Sequence, residues 1–143
     1  MIDIDEAVKT RWTARSLSST ITGGIHHARA PEQTSMPYCI YSNVSDAPTS
    51  GTRSSRYNRA LIQFDVYDTT PDLVGSHSKL IRAAFVNSDK AAANALAMTE
   101  GGTIKRIEPD GNPVVLQEAD EVYRGTQTLA VEWAESRNLV PTA

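Results

Sequence analysis

The chain has 143 residues, with 17 acidic and 14 basic side chains for a formal net charge of -3, and a single cysteine. That length suits one domain, which buries roughly two-thirds of its unfolded surface without help from a metal or cross-link. A balance this close to neutral excludes a partner held by bulk charge, whether nucleic acid or anionic lipid, and lone Cys39 excludes an intrachain disulfide. Cys39 lies in an apolar run, where a thiol packs as a small hydrophobe. The opening MIDIDEAVKTRW lacks the apolar core of a signal peptide, and no stretch approaches the ~20 apolar residues of a membrane span. The expectation is a soluble protein, with no membrane partner, made in the cytoplasm.

Residues 3–16 read as a first helix, since Asp3 and Glu6 stand at capping-box spacing and Ile4, Val8 and Trp12 recur every fourth position. Its apolar face is narrow, so it should lie across a sheet beside a second helix, anchored by Trp12. Residues 25–29 suit a short strand, and 30–35 a polar turn. Pro37 then introduces Tyr38, Cys39, Ile40, Tyr41, Asn43 and Val44, a β-branched and aromatic run that should be a strand beginning at the proline or lying on an edge. The segment SDAPTSGTRSS at 45–55 reads as a polar loop between two antiparallel strands. It is longer than hairpin closure needs, which makes it a candidate contact surface. Arg53, Arg56 and Arg59 follow at three-residue intervals and so scatter over both faces of a strand; solvated charges at a loop base outweigh a site for nucleic acid or an acidic neighbour.

The unit at 57–85 organises the rest. Ala60, Ile62, Phe64 and Val66 alternate with Leu61, Gln63, Asp65 and Tyr67, the period of a strand with one apolar face. After Asp68 the period changes: Leu73, His77, Leu80 and Ala84, with Val74, Ile81 and Phe85 beside them, form a helical stripe. Thr70 suits the N-cap, Pro71 the first helical position and Asp72 the positive end of the dipole. The helix should pack on the strand's apolar face and end near Asn87. Residues 90–98, KAAANALAM, have high helix propensity but only Leu96 and Met98 as sizeable apolar side chains; they extend the helix, form a short one, or order against a neighbouring subunit. Gly101 and Gly102 break the segment, 103–108 suits a strand, and 109–113 is a turn. Residues 114–120 are ambiguous. A last strand runs over 122–133, with Gln127, Leu129, Val131 and Trp133 on one face, and 135–143 form a tail. The fold class is therefore α+β, a single domain whose mainly antiparallel sheet of four or five strands is packed by an N-terminal and a central helix.

No chemistry stands out. His26 and His27 are adjacent, so on a strand they diverge to opposite faces, and no cysteine or carboxylate accompanies them at ligand spacing. His77 on the inward stripe reads as a hydrogen-bonded core histidine before a catalytic base. Glu118, Asp120 and Glu121 suit a solvated turn better than an acid/base pair, and the paired glycines lack a phosphate-binding context. No catalytic residue, cofactor or metal is assigned. A small α+β chain without a site is commonly an assembly component.

The order of elements, carried by residues 28–31 (ARAP), 37–41 (PYCIY), 61–70 (LIQFDVYDTT) and 123–133, resembles the tail-terminator, or tail-completion, proteins of tailed bacteriophages. That family includes small head-tail joining proteins that share a compact fold with the phage lambda tail terminator. The resemblance implies a homo-oligomeric ring, six-fold, that caps the tail tube, stops its polymerisation and docks the connector of the filled head. Its implied partners are the tail tube protein and the head-tail connector, with genomic DNA only as cargo passing through the lumen. Its implied location is the virion tail or neck, after assembly in the host cytoplasm. A ring needs a heterologous interface whose rotation closes. Candidate contacts follow in the 45–55 loop and the segment 88–103: Asp46, Thr49, Arg53, Arg56, Lys90, Leu96 and Met98. The main alternative is a neck adaptor on the portal side, often twelve-fold. An enzyme using His77 with Asp72, Asp65 or Tyr67 ranks last, because Asp72 and His77 are five apart on a helix and face each other poorly.

Overall fold

The computed structural model describes residues 4–51, 55–86 and 102–136, and side chains within 8–44, 59–86 and 107–132. The helix α1 (Ile4–Ala14) leads through a 3-10 turn at Leu17–Ser19 to β1 (Ile25–His27), β2 (Tyr38–Gly51) and β3 (Ser55–Asp68). Helix α2 (Pro71–Phe85) follows, then β4 (Gly102–Pro109), β5 (Val114–Ala119) and β6 (Val122–Ser136). The strands form one six-stranded sheet in the order β1-β2-β3-β6-β4, with β5 also pairing β6. Only the β1–β2 pairing is parallel, so the protein is α+β with a mostly antiparallel sheet. The count exceeds the four or five strands expected because residues 114–119, ambiguous in sequence, are a strand.

Both helices lie on one face of the sheet, and the alternation in β3 decides which. Ala60, Ile62, Phe64 and Val66 are all at most 2% exposed, and across the ladder they meet Cys39 and Tyr41 on β2 and Leu129 and Val131 on β6. Phe64 packs against Phe85 of α2 with ring centroids 4.9 Å apart. Each large side chain fully buried here contributes about 1.5–3 kcal/mol relative to leaving it in water. Helix α2 starts as its sequence dictates: Pro71 opens it, and the Thr70 hydroxyl accepts a hydrogen bond from the Leu73 amide at 3.2 Å. Its buried stripe is Val74, His77, Ser78, Ile81, Ala84 and Phe85, while Leu73 is 44% exposed. The inward face is therefore rotated from the Leu73-centred stripe that spacing suggests, because Val74 and Ser78 sit against Gly125, where any Cβ would collide with both.

Val8 and Trp12 of α1 are buried as expected. The Arg11 guanidinium donates to the Ala84 carbonyl at 2.8 Å, fastening α1 to the end of α2, and the Trp12 indole donates to Ser18 Oγ at 2.8 Å. Burial, and then the charge of Arg15, hold Arg11 below the ordinary guanidinium pKa.

One expectation is overturned. Residues 45–51 and 55 are strand, not loop: Ser45 pairs Leu61, Asp46 pairs Ala60, and the register runs on to Gly51 opposite Arg56. The physical reason is the position of β3, which is laddered on its other side to β6 from Ser55 to Asp68 and so offers β2 a continuous row of partners. Backbone hydrogen bonding overrides the turn-rich composition at 45–50, and the polar strand absorbs it by bulging between Asn43 and Ser45 and between Pro48 and Ser50. Strands β4 and β5 both pair β6, one after the other along the same edge, with the turn 110–113 between them. The Asp110 amide bonds to the Thr128 carbonyl at 2.9 Å across that break, and buried Gln127 donates to the Gly111 carbonyl at 3.5 Å.

Candidate assembly surface

Three features could do more than hold the fold. The first is a buried pair behind the β3–α2 turn. Asp68, the last residue of β3, places one carboxylate oxygen 2.8 Å from His77 Nε2. Its other oxygen accepts from the Thr69 amide at 2.7 Å. Asp68 and His77 are 6% exposed each, so both polar groups are spent on each other and on the turn. Spacing alone offered Asp72, Asp65 or Tyr67 as partners of His77. Asp65 and Tyr67 are odd residues of β3 and point to the face away from the helices, while Asp68 is even and points toward them. The partner that sequence reasoning missed was legible as an acidic residue in phase with the apolar face of β3.

The second feature is the sheet face that no helix covers. Asp65 is only 8% exposed there and accepts from Thr126 Oγ1 at 2.6 Å and from Gln63 Nε2 at 3.0 Å. Beside it Tyr67 stacks on Tyr38 with centroids 5.0 Å apart and lies near Arg124, which forms an ion pair with Glu118 at 2.9 Å. Burial, then the negative charge of Asp65, push the Tyr67 hydroxyl above its ordinary pKa, with Arg124 opposing. The Asp65 carboxylate thus ties β3 to β6 through Thr126, and the Arg124–Glu118 ion pair ties β6 to β5.

The third is the outer edge of β5. All six of its residues are exposed, including Val114, Val115 and Leu116 at 53%, 40% and 47%. Among the described residues β5 pairs only β6, and an exposed strand edge with apolar side chains is a template for another chain. It is the largest run of exposed apolar side chains among the described residues, and the sequence signal for it is the triplet VVL between two turns.

The residues expected at contacts are distributed over two strands and the undescribed segments. Asp46 and Thr49 lie in β2 and Arg56 in β3, with Thr49 at the second bulge; Arg53, Lys90, Leu96 and Met98 lie outside the described residues. Adjacent His26 and His27 take opposite faces of β1, with His27 5.0 Å from the Tyr41 ring and His26 bonded to the Gly23 carbonyl at 2.9 Å. Among the described residues no three His, Cys, Asp or Glu side chains converge on a point that could hold a metal ion. No helix of the described residues is long and apolar enough to cross a membrane.

No family model matches the chain, and no curated protein does. Among solved structures, the fold is similar to that of a chain in the virion of a native gene transfer agent particle, with a TM-score of 0.65, 10% identity, and coverage of 89% of this chain and 91% of that one. A second solved chain aligns at a TM-score of 0.48 and 14% identity over 90% of this chain and 94% of its own, too low to carry an argument. The first likeness spans nearly the whole of both chains, so the helix–hairpin–helix–sheet arrangement described above is a fold already known in a virus-like particle.

Proposed function

We propose that this protein is a structural virion component, and within the virion a tail terminator: a ring-forming subunit that caps the tail tube, stops its growth and presents the docking surface for the head connector. The observation that carries the virion reading is the fold likeness over 89% of the chain to a component of a gene transfer agent particle. The exposed apolar edge of β5 supports a subunit whose surface is completed by assembly. The terminator role itself rests on the order of elements, from the first helix through the long hairpin to the closing strand. In mechanism, a ring stops polymerisation when one face resembles a tube subunit and the other does not, so the next tube subunit finds no matching surface.

Loss of the gene from a particle-producing cell tests this. Tubes of uncontrolled length and unjoined heads in electron micrographs are the expected result. Tubes of normal length with heads that still fail to join would move the protein to the neck, and a twelve-fold ring mass would agree with that position. Normal infectious particles without the protein would remove it from both.

A further inference from the structure

We draw no further inference here: the strongest candidate, the patch of exposed apolar side chains Val114, Val115 and Leu116 on β5 at the edge of the described sheet, carries none because nothing in the structure shows what covers it.

Discussion

Cys39 shows how far burial alone reaches at the scale of one residue. It is fully buried on the helix face of β2, and desolvation, then the charge of Asp65, push its thiol well above the ordinary 9.0. The folded state then keeps a proton that the unfolded chain releases, so the unfolded state binds fewer protons and stability falls as pH rises past that ordinary value. The slope from this one group reaches about 1.4 kcal/mol per pH unit. Tyr67, also raised, adds to the fall above its ordinary 10.0. Denaturant titrations from pH 8 to 10 should show the decline, and Cys39→Ala should flatten it. An equal slope in the variant would mean the thiol is not the source. Gly125 makes the opposite argument, from space: a methyl group there meets Val74 and Ser78, so Gly125→Ala should cost about 1–3 kcal/mol by forcing α2 off the sheet. A midpoint unchanged in urea would contradict that packing.

At the scale of elements, the β3–α2 turn is the joint on which the helix layer is hung. Asp68 bonds both the Thr69 amide and His77, and Thr70 caps the helix one residue before Pro71. Thr70→Ala should lower stability by about 1 kcal/mol, the usual worth of a cap. Asp68→Ala and His77→Ala should each cost about 1–3 kcal/mol, because each leaves a buried polar group without its partner. The double variant should cost less than their sum, and full additivity in the cycle would show that the two side chains do not interact. Edge strands behave differently. Substitutions on β5 should leave the monomer's stability within about 0.5 kcal/mol, as exposed positions usually do, and act on assembly instead.

For the whole molecule, the arrangement is a sheet with helices on one face and a polar group centred on Asp65 on the other. On that face Asp65 accepts from both Gln63 and Thr126, so its carboxylate offers little to a ligand that would have to displace them. Among the described residues β5 pairs only β6, and its exposed apolar side chains are the surface a partner would find first.

The sequence by itself determined the parts whose periodicity is carried by local side chains. Alternation at 60–67, the helix and its cap at 70–85 with Leu73 turned outward, Val8 and Trp12 on the first helix, and the strand after Pro37 were legible, because each writes its burial into its own spacing. Tertiary structure decided what depends on a partner far along the chain. Residues 45–51 look like a loop and are strand, because β3 supplies the hydrogen bonds; 114–119 look like nothing and are strand, because β6 does. The same holds for the surface proposed to assemble. An apolar triplet is visible in sequence, but that it lies at the edge of the described sheet follows only from strand order, since edges exist only once a sheet has formed.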